Sequence, residues 1–435
     1  MNIVIIGGSF GGISCAREAR RLYPKAHILL IEKKDEIGFI PSGMLLYIEG
    51  RVPSLQDAYF CTATQLRAEG IDVALKESVV DIIPEKHVVQ TDQRSVSYDR
   101  LVLAAGSSQD SQILPQPDES QLTYKEFAGA AQFVDRLAHA DSVSIVGAGQ
   151  AGMEAANTMV SIGKSVSVIE SMDYPLFKYF DQTFLAPFLE TLATIPKLDF
   201  YWSEPTLAIR QTDTGFQVET AKQVIDSDLV LTTVNVHPST QPAFTAFRRH
   251  SDQTIWTDDY LETSHQDVFA VGDLIQIPHG VTQDRTYMPL VNNAIRSGVA
   301  AARNLREKKT PFRGGLRTVG TQLFDWYLAS TGLTESDRFF YEEDIACHHV
   351  ESQVSLFEST VIYGKFIIDA KSQRLLGAQL LSKANILEKI NLLAFAIEKE
   401  ATLAELAQKD FFYQPKFSAV TDETFSWSRG DANET

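Results

Sequence analysis

The stretch SVSIVGAGQAGMEAANTMVSIGKSVSVIESMD, residues 142–173, decides the fold of this chain. A run rich in β-branched residues leads into Gly147, Gly149 and Gly152 at GxGxxG spacing, and an alanine-rich stretch and a second apolar run ending at Glu170 follow. This order predicts a strand, a glycine turn, a helix and a second strand, with the turn aiming the helix N-terminus at a pyrophosphate. The stretch therefore predicts a dinucleotide-binding unit.

The N-terminus repeats the same pattern in NIVIIGGSFGGISCAREARRLYPKAHILLIEKKD, residues 2–35. Gly7 suits the tight turn, Gly12 lets helix and strand pack closely, and Glu32 ends the second strand where an acid accepts hydrogen bonds from a ribose. Ser9 replaces the middle glycine of the fingerprint. Two such units predict an α/β protein with two Rossmann-like domains. Glu170 in the second unit favours NADH over NADPH, because a carboxylate pairs with a 2′-hydroxyl and repels a 2′-phosphate.

Composition narrows the function classes. The chain has 435 residues, is 44% hydrophobic and carries a net charge of −17 with a pI near 5.0. The length suits two or three domains, and the acidic balance argues against a nucleic-acid partner, since such binding depends on cations that neutralise phosphates. No apolar run reaches the roughly 18 residues of a membrane span, and the N-terminus lacks a basic start and a cleavage site. We expect a cytoplasmic protein without a membrane span.

The three cysteines, Cys15, Cys61 and Cys347, form no CxxC or CxxxxC pair. We interpret them as small buried hydrophobic residues, the usual role of free cysteine. The sequence CHHV at residues 347–350 offers metal-ligand types, but adjacent residues of a strand point to opposite faces. No metal site is predicted.

Three further apolar runs end in small or acidic residues. HQDVFAVGDLIQI, residues 265–277, places Asp273 at the end of a strand, where its carboxylate could accept a hydrogen bond from a ribityl hydroxyl, although Gly-Asp is also a common turn. YDRLVLAAGSSQ (98–109) and SDLVLTTVNVHPST (227–240) end in small residues, as expected where backbone passes close to a ligand.

Together these segments resemble the flavoprotein disulfide reductase superfamily, the pyridine nucleotide-disulfide oxidoreductases, and within it the branch of NADH peroxidase, NADH oxidase and coenzyme A disulfide reductase. The resemblance implies an oxidoreductase that uses FAD and NADH, built from two Rossmann-like domains and a C-terminal α+β dimerisation domain. The implied boundaries are 1–110 and 238–308 for FAD, 111–237 for NAD and 309–435 for the dimerisation domain.

The resemblance also implies the residues that bind each cofactor. For FAD they are Gly7, Gly8, Ser9, Gly11, Gly12, Glu32, Lys33, Ser42, Ala104, Ala105, Gly106, Asp273, Pro289, Leu290 and Ala294. For NAD they are Gly147, Gly149, Gln150, Ala151, Gly152, Glu154, Glu170, Tyr179 and Asn235. Two of these depart from the family pattern: Gln150 stands where the branch often has an aromatic lid, and Asn235 replaces a glycine beside NAD.

The C-terminal segment AELAQKDFFYQPKF is also similar to the family, in which it lines the partner's active site. This implies a homodimer with Phe412, Tyr413 and Gln414 near the other subunit's flavin. A plain hydrophobic interface is the alternative role for these residues.

The catalytic positions hold the main departure from the family. The branch uses a single cysteine at a helix start and a histidine in the FAD glycine loop, and Ser42 and Phe10 occupy these positions here, with Glu154 expected near the nicotinamide. A serine hydroxyl needs an adjacent base to become a nucleophile, and Phe10 supplies neither proton nor charge. We expect Ser42 to cap its helix by accepting a backbone N–H, with a hydrogen bond to flavin or substrate as the alternative.

Three functions follow. The first is an FAD-dependent enzyme that takes hydride from NADH and passes electrons from flavin directly to oxygen, giving hydrogen peroxide, or to another small-molecule or quinone acceptor. The second is an FAD- and NADH-binding sensor or assembly protein with little turnover. The third is a disulfide or coenzyme A disulfide reductase that uses a relocated cysteine. The intact second glycine fingerprint favours the first.

Overall fold

The computed structural model describes residues 1–109, 123, 125–234, 236–239 and 242–419, which group into two compact units. The first unit comprises Met1–His139, Val234–Pro278 and Asp284–Gly314, and the second comprises Ala140–Thr233, His279–Gln283 and the chain from Gly315 onward. The predicted NAD-binding and dimerisation segments lie mostly in the second unit. The four predicted domain segments are finer than this division and stay a prediction.

A five-stranded parallel sheet forms the centre of the first unit. Its strands, from edge to edge, are Val268–Ala270, Arg100–Leu103, Asn2–Ile6, His27–Glu32 and Asp72–Leu75. The apolar runs of these strands are buried, as expected where both faces of a parallel sheet are covered.

Helices cover this sheet. They are Phe10–Leu22, Gly43–Ile48, Ala63–Ala68, Phe127–Leu137 and Val291–Asn304. The Phe10–Leu22 and Val291–Asn304 helices cross closely, since a Cβ on Gly298 would lie 2.3 Å from the Gly11 carbonyl oxygen. This crossing brings the first glycine turn next to the Val291–Asn304 helix.

Smaller elements complete the first unit. Strands Val79–Ile83, Val88–Thr91 and Ser95–Ser97 form an antiparallel sheet, Ser107–Gln109 pairs with Val236–Pro238, and Ile277–Pro278 pairs with Arg285–Thr286. Short 3₁₀ helices span Leu55–Ala58, Pro84–Lys86, Pro242–Phe244 and Gly272–Leu274.

The second unit contains a four-stranded parallel sheet in the order Leu198–Tyr201, Ser165–Ile169, Ser142–Val146 and Leu229–Thr232. The same unit contains helices Gln150–Ser161 and Ala186–Leu192. It also contains an antiparallel sheet of strands Thr206–Gln211, Phe216–Thr220 and Val224–Ser227.

A five-stranded antiparallel sheet forms the C-terminal part of the second unit. Its order is Val319–Leu323, Trp326–Gly332, Leu375–Ser382, Glu358–Asp369 and Ile345–Ser355. Helices Lys389–Glu398 and Leu403–Ala407 pack on it through a shared apolar core, and a 3₁₀ helix spans Glu335–Phe340. Within the described ranges, no helix combines the length and apolarity that crossing a bilayer requires.

Candidate active site

The first glycine turn can be built only with glycine at two positions. Gly7 has a φ of +113°, and a Cβ there would lie 2.3 Å from the Ala104 carbonyl oxygen. A Cβ on Gly12 would lie 2.0 Å from the Gly7 carbonyl oxygen. The turn therefore lets strand Asn2–Ile6 pass directly into helix Phe10–Leu22, whose N-terminal N–H groups and dipole favour an anion.

The second glycine turn has the same geometry in the second unit. Gly147 has a φ of +104°, and a Cβ on Gly152 would lie 1.9 Å from the Gly147 carbonyl oxygen. A Cβ on Gly149, in contrast, would meet nothing within 4 Å. Ser9 occupies the equivalent position of the first turn. A side chain is therefore sterically allowed at the middle position of this turn, which explains why the N-terminal unit departs from the strict fingerprint.

The two acidic residues that end the second strands bind the glycine turns. Glu32 Oε2 accepts a 2.7 Å hydrogen bond from Gly8 N–H, and Glu170 Oε2 accepts one of 2.7 Å from Ala148 N–H. The other oxygen of each carboxylate accepts from the backbone two residues further along, at Lys34 and Met172. Each acid thus fixes its own turn in addition to the predicted ribose contact, a role that was not predicted from the sequence.

Three segments predicted to contact FAD meet in the first unit. A Cβ on Gly272 would lie 3.4 Å from Ala294 Cβ, and one on Gly11 would lie 3.5 Å from the Ala294 carbonyl oxygen. Leu290 immediately precedes the Val291–Asn304 helix in an extended conformation. The glycine turn, the strand end at Asp273 and the start of this helix therefore converge, although they are far apart in sequence.

Asp273 belongs to a polar chain that sequence reasoning missed. The Ser107 hydroxyl donates a 2.6 Å hydrogen bond to Asp273 Oδ2, and the Lys125 ammonium donates to the Ser107 oxygen. Burial lowers the pKa of Lys125, and the Asp273 carboxylate opposes that shift. Burial, and then Asp273, raises the pKa of the Tyr287 hydroxyl, so the phenol stays protonated and can donate. No spacing pattern connects these residues, because only the tertiary fold brings them together.

The structure contradicts the predicted helix cap at Ser42. Ser42 immediately precedes helix Gly43–Ile48, but its φ of −68° and ψ of −8° are helical, and its side chain accepts no capping hydrogen bond. A capping side chain reaches the N2 or N3 amide from an extended backbone, and Ser42 lacks that conformation because helical turning has already begun at Ile40, whose carbonyl accepts from Gly43 N–H. The exposed Ser42 hydroxyl is thus free of a capping role.

Phe10 lies beside a second phenylalanine. Its ring stacks on that of Phe60 with centroids 4.4 Å apart and an angle of 8° between the planes. Both rings are half-buried. The position where the resemblance implies a histidine is therefore part of an apolar aromatic pair.

The cysteines lie in environments that disfavour thiolates. Cys15 and Cys61 are buried, as predicted, whereas Cys347 is only partly buried. Burial, with a smaller effect of nearby Glu18, raises the pKa of Cys15 to about 12, and burial is also the main cause that raises the pKa of Cys347 to about 11. Burial raises the pKa of Cys61 as well, although the Arg17 guanidinium, 3.4 Å from its sulfur, opposes that shift. Thiols with raised pKa values are poor nucleophiles near neutral pH.

The predicted NAD residues of the second unit include a hydrogen-bonded pair. The Gln150 amide donates to Glu154 Oε1 at 3.0 Å, and the Thr321 hydroxyl donates to the same oxygen at 2.8 Å. Tyr179 is held through its carbonyl, which accepts from the Ser330 hydroxyl at 2.6 Å. Asn235 lies outside the described residues.

Four further predicted residues lie at the surface of the single chain. Lys33 and Gln414 are exposed, and Phe412 and Tyr413 are 77% and 59% exposed in the single chain. Exposed aromatic rings of this size are typical of surfaces that contact another protein. Across the described part of the chain, no three His, Cys, Asp or Glu residues cluster as metal ligands.

The first unit fits a dinucleotide cofactor. Its glycine turn forms a cradle that side chains would fill, Glu32 lies at the end of the second strand, and Asp273 lies at the end of a neighbouring strand with donors around it. Backbone N–H groups suit the diphosphate, and carboxylates suit sugar hydroxyls.

Comparison with known proteins identifies the family of this chain. The model of the pyridine nucleotide-disulphide oxidoreductase family matches residues 1–298, and that of the family's dimerisation domain matches residues 319–424. The crystal structure of a pyridine nucleotide-disulfide family oxidoreductase from Enterococcus faecalis is 38% identical, with 100% of both chains covered and a TM-score of 0.88.

Two NADH oxidases are also similar. The NADH oxidase of Enterococcus faecalis is 28% identical, with 96% of both chains covered. The water-forming NADH oxidase from Lactobacillus brevis, solved bound to NADH, is 24% identical over 99% of this chain and 98% of the other, and its TM-score of 0.94 shows a shared fold. The chain belongs to the pyridine nucleotide-disulphide oxidoreductase family, as a flavoprotein that uses FAD and NADH.

Proposed function

We propose that the protein oxidises NADH and passes the electrons from FAD directly to an acceptor, without a protein sulfur between them. The observation that carries this proposal is the exposed Ser42 hydroxyl, at the position where the family resemblance implies a cysteine, combined with raised pKa values at all three thiols. FAD, when bound, would supply the redox chemistry that moves two electrons from NADH to the acceptor. The chain binds and orients the two cofactors.

The first unit supplies the proposed FAD residues. The N–H groups at the start of helix Phe10–Leu22 face the diphosphate, and Glu32, already fixed by Gly8 N–H, accepts from the adenosine ribose. Asp273 accepts from a ribityl hydroxyl, while Ser107 and Lys125 hold its carboxylate in place. Lys33, Ala104, Ala105, Gly106, Pro289 and Ala294 complete the proposed contacts.

The second unit supplies the proposed NADH residues. The N-terminus of helix Gln150–Ser161 faces the pyrophosphate, and Glu170 accepts from the ribose and repels a 2′-phosphate. Glu154 orients the nicotinamide amide, and Gln150 and Thr321 fix its carboxylate for that contact. Tyr179 and Asn235 complete this set.

Without a redox thiol, oxygen as the acceptor would be reduced only to hydrogen peroxide, because nothing remains to reduce the peroxide further. A small organic molecule such as a quinone is the other acceptor class. The matched dimerisation domain and the exposed Phe412 and Tyr413 support a homodimer, in which these residues and Gln414 lie near the partner's flavin.

Anaerobic titration of the holoenzyme with NADH tests the missing sulfur. We expect full reduction with about two electrons per FAD, because no second redox group accepts electrons. We also expect no long-wavelength charge-transfer absorbance, since Ser42 cannot form a thiolate. Uptake of about four electrons, or the appearance of that absorbance, would contradict the proposal.

Cysteine alkylation provides a second test. Iodoacetamide at pH 8 should label the native protein slowly and leave its NADH turnover unchanged, because the raised pKa values keep the thiols protonated at this pH. Mass spectrometry measures labelling, and NADH absorbance measures turnover. Labelling of one cysteine in step with loss of turnover would instead identify a relocated redox thiol.

A further inference from the structure

The turn around Ser42, residues 40–43 (the Ser42 turn), is part of an arrangement of three short segments in the first unit. Ile40 N–H donates to the Ala58 carbonyl and Phe60 N–H donates to the Gly38 carbonyl, both at 2.9 Å. On its other side, Gly38 N–H donates to the Gly8 carbonyl at 2.8 Å. The backbone hydrogen bonds therefore place the Ser42 turn between the first glycine turn and the segment that carries Phe60.

Aromatic rings cover both faces of this arrangement. Phe60 stacks on Phe10, and its chain neighbour Tyr59 points to the other face, where it contacts Phe39 and Phe127 at centroid distances of 5.4 and 5.6 Å. These rings are only partly buried. The Phe10–Phe60 pair thus forms a partly exposed apolar surface, joined through the Gly38 backbone to the segment that leads to Ser42.

The polar groups near this surface narrow the chemical class of the electron acceptor. The exposed Ser42 hydroxyl makes no helix cap and can donate a hydrogen bond. The three arginines of the helix that begins at Phe10 are already engaged: Arg17 pairs with Glu69 at 2.8 Å, Arg21 pairs with Glu18 at 2.8 Å, and Arg20 donates to the Gly70 carbonyl at 2.6 Å. An apolar ring surface with one hydroxyl donor suits a neutral planar molecule with a carbonyl oxygen, whereas an anionic disulfide such as that of coenzyme A would need unpaired cations.

We propose that the acceptor is a quinone, which packs on the outer surface of the Phe10–Phe60 pair and accepts a hydrogen bond from Ser42 at one carbonyl oxygen. This inference rests on the proposed function and names its acceptor class. The balanced reaction is NADH plus H⁺ plus quinone giving NAD⁺ plus hydroquinone. The two electrons come from the C4–H bond of NADH, and the two quinone oxygens each gain a proton.

Anaerobic kinetics with menadione as the probe, and ferricyanide as an acceptor that needs no apolar site, test this proposal. For Phe60→Leu we expect kcat/KM for menadione, divided by that for ferricyanide, to fall about tenfold, because aromatic packing is lost. For Ser42→Ala we expect a fall of roughly threefold, the effect of one neutral hydrogen bond. Phe60→Trp keeps a ring and should restore the wild-type ratio.

Phe39→Leu is the matched control, since it removes a ring from the opposite face of the same arrangement and should leave the ratio unchanged. FAD content and melting temperature verify that each variant is folded. Independently of turnover, menadione should raise the melting temperature of the oxidised wild type and raise that of Phe60→Leu less.

Ferricyanide turnover without saturable menadione reduction would overturn the quinone proposal and leave the proposed function standing. Equal changes of the ratio in Phe60→Leu and Phe39→Leu would also overturn it. If NADH reduces neither the flavin nor any acceptor, the proposed function fails, and the quinone proposal fails with it.

Discussion

Replacing Lys365 with methionine is expected to destabilise the second unit by about 3–5 kcal/mol, the range found when one partner of a buried ion pair is removed. The Lys365 side chain is fully buried, and its ammonium lies 2.9 Å from Asp181 Oδ2 and 2.6 Å from Glu335 Oε2. Asp181 is itself 4% exposed. The variant therefore leaves a buried carboxylate without its cation.

The expected loss depends on pH in a defined direction. In the wild type, burial raises the pKa of Asp181, but hydrogen bonding to and attraction by Lys365, together with hydrogen bonds from Gln379 and the Glu335 backbone, lower it on balance. This stabilisation is present above the unfolded pKa and is lost as the pH falls through the folded value. Without Lys365 this attraction is lost and the Asp181 pKa is expected to rise, so protonation relieves the variant in acid. The gap in free energy of unfolding between the variant and the wild type should therefore be larger at pH 8 than at pH 5.

Urea unfolding midpoints at fixed protein and FAD concentrations measure this gap, because cofactor binding adds to apparent stability. Lys371→Met removes an exposed lysine and is the matched control. Asp181→Asn combined with Lys365→Met should recover part of the loss, since the buried carboxylate is removed and the Glu335 carboxylate that remains is 47% exposed to water. A midpoint for Lys365→Met within the spread of the Lys371→Met control would contradict the expectation.

Local backbone constraints were predictable from the sequence. A Cβ on Gly12 or Gly152 would overlap the carbonyl five residues earlier, and Gly7 and Gly147 have the positive φ that favours glycine, so the spacing of the glycines already contains the geometry. The same holds for the acids that close each second strand. Their hydrogen bonds to Gly8 and Ala148 were missed, because the pattern shows where the acid stands but not which of two nearby donors it binds.

Contacts between distant segments were not predictable in this way. The hydrogen bond from Ser107 to Asp273 spans 166 residues, and the Phe10–Phe60 stack joins a glycine turn to a loop for which the sequence predicted no role. The expected cap at Ser42 was wrong for a related reason, since hydrogen bonds at Ile40 start the helical turn early. Residue type gave Ser42 a capping propensity, and the tertiary pairing of the 38–43 segment overrode it.

Replacing Gly152 with alanine is expected to weaken NADH binding at least about tenfold while FAD stays bound. A Cβ at this position would lie 1.9 Å from the Gly147 carbonyl oxygen and 2.8 Å from Thr233 Oγ1, so helix Gln150–Ser161 must shift away from the turn. Overpacking of this kind costs about 1–3 kcal/mol, and 1.4 kcal/mol is a factor of ten in binding. The displaced helix N-terminus no longer faces the pyrophosphate correctly.

Two further variants separate steric strain in the NAD turn from general damage. Gly149→Ala adds a methyl group where nothing lies within 4 Å and the φ is −68°, so it should keep the wild-type unfolding midpoint. Gly12→Ala places a Cβ 2.0 Å from the Gly7 carbonyl oxygen in the first unit and should lower FAD retention instead. Titration of each variant with NAD⁺ by calorimetry, together with FAD content from absorbance, distinguishes the two turns. If Gly152→Ala bound NAD⁺ as tightly as the wild type, or lost FAD as Gly12→Ala does, the assignment of the second turn to NADH would be wrong, because a local overlap at residue 152 acts first on the turn it belongs to.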